Sequence, residues 1–148
     1  MRIFKTASNE LGFHLDAVGQ YAEAHPYYER ALAIRERVLG PEHPNTAASL
    51  NNLGALFRAQ GDLAGAHSYF ERALAICEQV LGPEHPDTAG SLNNLGALLQ
   101  AQGDLAGAHS YFERALHILM ARLGPNHALT QTVQRNLAAL DALMNQSQ

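Results

Sequence analysis

At 148 residues and 47% hydrophobic composition the chain has room for one domain and enough apolar material to fill a continuous core. Its net charge of -4, with no basic run, argues against a phosphate-tracking surface for nucleic acid, and a single cysteine, Cys77, excludes an intrachain disulfide framework and suits a reducing compartment. No apolar run approaches the roughly 18 residues of a membrane span and MRIFKTASNE lacks the apolar centre of a secretory leader, so the chain reads as cytoplasmic with no membrane partner.

Residues 1 to 18 read as a first helix, with Leu11 and Leu15 on one side and Gly19 placed to end it. From Tyr21 to Leu39, the residues Tyr21, Ala24, Tyr28, Ala31, Leu32 and Val38 recur at helical steps and define one buried face. Leu39-Gly40-Pro41 stops that helix. Pro44 then suits the first position of a helix running to Gln60, with Asn45 and Thr46 available to its free amides. Gly61-Asp62 is a compact stop and restart, so the partner helix, Leu63 to Leu81, must fold back as a helical hairpin. The same pattern returns as Pro86 to Gln102 and Asp104 to Leu123. A last helix, Ala128 to about Asn145, carries Val133, Leu137, Leu140 and Met144 on one side and Gln131, Gln134, Asp141 and Asn145 on the other. Such a helix protects the end of an open stack, and residues 146–148 are expected to be a disordered tail.

These elements repeat. Leu50 to Ile76 is written again from Leu92 to Ile118, with only Phe57 to Leu99, Arg58 to Gln100 and Ala75 to His117 changed. The offset of 42 residues also relates Tyr27, Tyr69 and Tyr111, and the Leu-Gly-Pro triplets that begin at Leu39, Leu81 and Leu123. A fixed period of this size means a stacked array. The repeats run from about 5 to 43, 44 to 85 and 86 to 127 within a single domain, followed by the capping helix. The expected fold class is all-α: an α-solenoid of three helical hairpins plus a C-terminal capping helix. A helical glycine costs roughly 1 kcal/mol relative to alanine. Gly12, Gly54 and Gly96 therefore imply a close approach of the second helix, which presents Ala24, Ala66 and Ala108. In the last unit, which has no second helix, Ala138 stands in the glycine's place.

The spacing of Leu50, Leu53, Gly54, Phe57, Ala66, Phe70 and Ala73, repeated by Leu92, Leu95, Gly96, Leu99, Ala108, Phe112 and Ala115, resembles the tetratricopeptide repeat (TPR). The usual repeat is about 34 residues. The 42-residue period, the longer second helices and the GPEHP loop look like the kinesin light chain type, which is also common in bacterial multidomain signalling proteins. The resemblance implies hairpins stacked with their first helices along a concave face. On that pattern the groove-facing places are Asn9, Phe13 and Asp16; Asn51, Ala55 and Arg58; Asn93, Ala97 and Gln100; and Arg135 and Ala139. Small alanines beside amides offer a shelf for an extended peptide, whose backbone Asn51 and Asn93 can bond. Asn52 and Asn94 belong to the repeat pattern, and a structural role is expected there. A basic clamp for a C-terminal carboxylate is disfavoured, because Asn9 and Phe13 do not provide the basic pair.

The histidines His25, His67 and His109, and His43, His85 and His127, repeat at the same interval. Equivalent side chains one repeat apart lie roughly a 10 Å helix diameter from each other, too far to share a metal at about 2 Å per ligand. No metal and no cofactor are expected, and the histidines of the loops are read as shaping them. Glu71-Arg72 and Glu113-Arg114 read as surface ion pairing, Cys77 as a buried thiol, and the three tyrosines as packing between second helices. No phosphate-binding loop occurs. The expectation is a non-enzymatic module that holds a protein or peptide partner and remains monomeric; the competing class is a self-assembling repeat that joins end to end or exchanges a hairpin.

Overall fold

The structure, a computed structural model, describes residues 21–146 and divides between Ile76 and Cys77 into two compact units. The helix expected over residues 1 to 18, and Gly12 with it, lie outside the described residues.

In the first unit α1 (Tyr21–Leu39), α2 (Pro44–Ala59) and α3 (Leu63–Ile76) follow one another. Gly40, at φ 101°, closes α1 by donating its N–H to the Glu36 carbonyl at 3.1 Å. His43 caps α2: its Nδ1 accepts the Asn45 N–H at 3.0 Å, ahead of Pro44 in the first helical turn. The cap is therefore the loop histidine and not Asn45 or Thr46. The Thr46 hydroxyl instead turns back to the Gly40 carbonyl at 2.8 Å and ties the loop to the end of α1. At the other end of α2, Gly61 N–H bonds the Arg58 carbonyl and Asp62 N–H the Phe57 carbonyl, the paired closure of a Schellman motif that needs the left-handed φ of 88° at Gly61. Asp62 then caps α3, its Oδ1 accepting from Gly65 N–H at 3.0 Å. One residue thus ends a helix and starts the next, which is why the hairpin turn is so short.

The second unit opens with a π-helical segment, Cys77–Leu81, and continues with α4 (Pro86–Ala101), α5 (Leu105–Arg122) and α6 (Ala128–Gln146). The sequence pattern predicts uninterrupted α-helix to Leu81. The structure widens its last turn, with Gly82 N–H reaching the Cys77 carbonyl five residues back at 3.0 Å. Periodicity of apolar residues cannot report such local widening, because the buried face is unchanged by it. The helix α6 extends through Gln146, one residue into the stretch expected to be a tail. The core of this unit is Leu92, Leu95, Leu98, Phe112, Ile118, Leu119, Val133 and Leu140, each at most 1% exposed.

The glycines within first helices answer to a different neighbour from the one expected. A methyl group on Gly54 would stand 2.5 Å from the Phe70 ring, and one on Gly96 would stand 2.7 Å from the Phe112 ring. The space is taken by the aromatic ring of the second helix, one turn beyond Ala66 and Ala108, which are themselves fully buried.

A polar position repeats with graded chemistry. Arg35 Nη1 donates to Ser49 Oγ at 2.8 Å in the first unit; in the second, Ser91 Oγ lies 3.8 Å from Cys77 Sγ, and Leu119 and Val133 occupy the next equivalent places as fully buried apolar residues. Burial raises the Cys77 thiol pKa, so the sulfur stays protonated and poorly nucleophilic.

The loop threonines give a direct stability contrast. Thr88 Oγ1 donates to the Gly82 carbonyl at 2.7 Å, as Thr46 does to Gly40, but Thr130 Oγ1 is buried with no hydrogen-bond partner among the described residues. The third loop has Ala128 where the others have Pro44 and Pro86. Thr130→Val, which removes a buried unbonded hydroxyl at nearly constant shape, is expected to leave stability unchanged or raise it by about 1 kcal/mol. Thr88→Val is expected to lower stability by about 1 kcal/mol or more, since the carbonyl it served loses its donor. Urea denaturation of both variants checks the pair; equal losses would refute the assignment.

Candidate functional site

The expected peptide-contacting residues of α2 share one side of that helix, at steps of four and three residues. Ala55 and Arg58 are exposed and Asn51 is half-buried. The Arg58 guanidinium is exposed and pairs with no side chain among the described residues. Asn51 Oδ1 is buried without a hydrogen-bond partner among the described residues. It is thus out of reach of a ligand that lies on the surface, and only the remainder of that amide can take part in recognition.

In the second unit the equivalent face is more occupied. Asn93, Ala97 and Gln100 on α4 are all half-buried. Asn93 Oδ1 accepts from Asn136 Nδ2 of α6 at 3.0 Å, and Ala97 packs against the cluster of Ala108, Phe112 and Leu140. Arg135 and Ala139 on α6 are exposed, with Arg135 Nη2 resting 3.3 Å from Thr132 Oγ1 on its own helix. Asn136 carries a role that the sequence reading did not assign. It lies at the 42-residue interval from Asn52 and Asn94, the two residues expected to be structural, and it ties α6 to α4. Asn9, Phe13 and Asp16 lie outside the described residues.

The second helices carry the charged rows. Arg72 Nη2 stands 3.7 Å from Glu36 Oε1, and Arg114 Nη2 stands 3.6 Å from Glu78 Oε1. Glu71 faces His67 at 3.6 Å. The adjacent Glu-Arg residues therefore pair with other partners and not with each other, because consecutive side chains on a helix diverge. These pairs are largely solvated and each contributes at most about 1 kcal/mol. His109 is placed differently: its Nδ1 is 3.1 Å from Glu113 Oε1 and its Nε2 is 3.1 Å from Asp141 Oδ1 on α6. Among the described residues no three His, Cys, Asp or Glu side chains converge as metal ligands. Tyr69 stacks on Phe57 of its own hairpin, centroids 5.2 Å apart and rings inclined by 12°, and Phe57 meets the His25 ring edge-on at 5.0 Å. That tyrosine thus packs against the first helix of its own hairpin. No described helix is long and apolar enough to cross a membrane.

The profile of the tetratricopeptide repeat family matches residues 2–79 and 66–121. Among solved structures, the chain is similar to nearly identical TPR-like repeats of a kinesin light chain-type protein from Podosopora anserina, with a TM-score of 0.81 and 29% identity over 91% of this chain and 64% of that one. It is also similar to BtubC (BKLC) from P. vanneervenii, with a TM-score of 0.80 and 27% identity over 92% of this chain and 54% of that one. The chain thus spans less than two thirds of the length of either. The type III secretion translocator chaperone SycD of Yersinia enterocolitica shares the fold, with a TM-score of 0.66 at 19% identity over 95% of this chain and 85% of that one. No curated protein matches the chain significantly. The fold class is all-α, a TPR solenoid.

Proposed function

From the premise that the chain belongs to the tetratricopeptide repeat family, in its kinesin light chain-like form, and that such repeats mediate protein–protein interaction, we propose that it is a non-catalytic scaffold that binds an extended peptide segment on its first helices. The contacting residues are Asn51, Ala55 and Arg58 in the first unit, and Gln100 and Arg135, with the exposed parts of Asn93 and Ala97, in the second. Asn9 and Phe13 belong to the same proposal by their repeat position. The observation that carries the reading is the open side of α2. There a small residue, Ala55, lies exposed one turn from an amide and from the exposed guanidinium of Arg58. Backbone carbonyls or a carboxylate of a peptide supply the acceptors that such a side lacks. The lone buried Cys77 supports a cytoplasmic setting. Gln131, Gln134 and Asp141 of α6 occupy the places of Ala47, Leu50 and Phe57 of α2, and this polar substitution supports a monomer.

Selection from a phage-displayed peptide library tests the proposal. The protein is expected to enrich one class of extended peptide, and Asn51→Ala with Arg58→Glu to weaken its best binder by roughly tenfold or more, the equivalent of one or two charge-assisted hydrogen bonds. Glu71→Ala with Glu113→Ala, on the second helices, should leave binding intact. Loss in the glutamate variant with retention in the first would move the working surface to the second helices. Failure to enrich any peptide would overturn the scaffold reading.

A further inference from the structure

Three loops of the array carry the same hydrogen bond. His43 Nδ1 accepts the Asn45 N–H at 3.0 Å, His85 Nδ1 the Asp87 N–H at 3.0 Å, and His127 Nδ1 the Leu129 N–H at 3.1 Å. Each imidazole takes the place usually given to a serine or aspartate oxygen at a helix N-terminus, and at α2 and α4 it is followed by proline. A hydroxyl oxygen keeps its lone pairs on mild acidification, whereas an imidazole nitrogen stops accepting once it is protonated. We propose that His43, His85 and His127 form a repeated pH-sensitive cap that holds the first turns of α2, α4 and α6 at neutral pH and releases them on acidification.

The direction follows from the chemistry of the acceptor. To receive an N–H, Nδ1 must be unprotonated, so the proton sits on Nε2. Acid adds a proton at Nδ1, which turns the acceptor into a donor that faces another donor. The resulting imidazolium also meets the positive end of the helix dipole. Protonation of Nδ1 therefore abolishes the cap, and the first turn loses its acceptor.

The charged surroundings grade the three sites. At His43 the neighbouring α1 supplies Arg35, whose Nη1 donates to the Asn45 carbonyl at 3.0 Å, a cation that adds to the penalty; Glu42 precedes it in the loop. At His127 the closest charged residue in sequence is Arg122, which ends α5. At His85, Asp87 Oδ2 is 4.0 Å from Nδ1, with Glu84 in the loop and Glu78 on the preceding π-helical segment. There an imidazolium can exchange the backbone N–H for a carboxylate. The imidazoles on second helices work in the opposite direction. His25 beside Glu29, His67 beside Glu71, and His109 between Glu113 and Asp141 gain ion pairing when protonated. A global melting curve therefore mixes the two effects, and the caps must be read site by site.

Heteronuclear NMR of the whole chain from about pH 8 to about pH 5, spanning imidazole titration, reads each cap through the ring tautomer and the exchange protection of its amide. The expected result is the Nε2–H tautomer at the upper end for all three rings, and a roughly fivefold loss of amide protection at Asn45 and Leu129 on acidification, the equivalent of an average cap. His43→Asn, which keeps an accepting oxygen that does not titrate, should flatten the Asn45 profile and leave that of Leu129 unchanged. An Nδ1–H tautomer at the upper end, flat profiles at Asn45 and Leu129, or an Asn45 profile that survives in His43→Asn would each overturn the proposal.

Discussion

Gly96→Val is expected to lower the stability of the protein by about 3 kcal/mol, at or beyond the upper end of what overpacking of a core usually costs. The first atom of any side chain at this place would stand 2.7 Å from Cδ1 and Cε1 of Phe112 and 3.2 Å from Cζ. The ring has nowhere to go: Phe112 is 1% exposed and packs with Ala108 and Leu140, with Leu99, Leu105 and Leu137 around them. A branched residue adds further atoms to the same space and is also a poorer helix former than alanine. Alanine at this position serves as the graded control. It gains roughly 1 kcal/mol of helix propensity and meets the same ring with one atom only, so its loss must be the smaller of the two. Thermal denaturation reads both; a valine variant that melts with the parent would mean that the ring does not set the helix separation.

Removing Ala128 to Gln148 is expected to produce oligomers or aggregates where the intact chain gives none. The helix α6 supplies Val133 and Leu140, both 0% exposed, together with the half-buried Leu137 and Met144. Without it the apolar surface made by Ala97, Leu99, Leu105 and Phe112 opens to water, at a cost of about 1.5–3 kcal/mol for each large side chain uncovered. Two polar ties go as well, Asn136 to Asn93 and Asp141 to His109. Patches of this kind associate. Light scattering after size exclusion reads the outcome, and a monodisperse truncated chain with unchanged stability would remove α6 from the role of cap.

Much of the architecture was legible from the 42-residue period and from punctuation. The helix starts at Pro44 and Pro86 and the stops at Gly61 and Gly103 follow from residues whose backbone limits are local, a missing N–H in proline and a tolerated left-handed φ in glycine. The inward stripe of α6 was legible for the same reason, because a 3.6-residue repeat of apolar side chains can bury only one face.

What depended on distance in space was not legible. The sequence marks Gly54 and Gly96 as places of close approach but cannot say that Phe70 and Phe112, and not Ala66 and Ala108, fill the gap, since both lie on the same helix one turn apart. It gives Asn51 and Asn93 the same place in the repeat, yet the acceptor of Asn93 is engaged by Asn136 and that of Asn51 is buried without a partner among the described residues. Nor does it distinguish Thr88, bonded to Gly82, from Thr130, which is not. Local backbone preference is a property of a few consecutive residues and so is written in their order, whereas which atom meets which across two helices is settled only when rings, amides and hydroxyls compete for the same space.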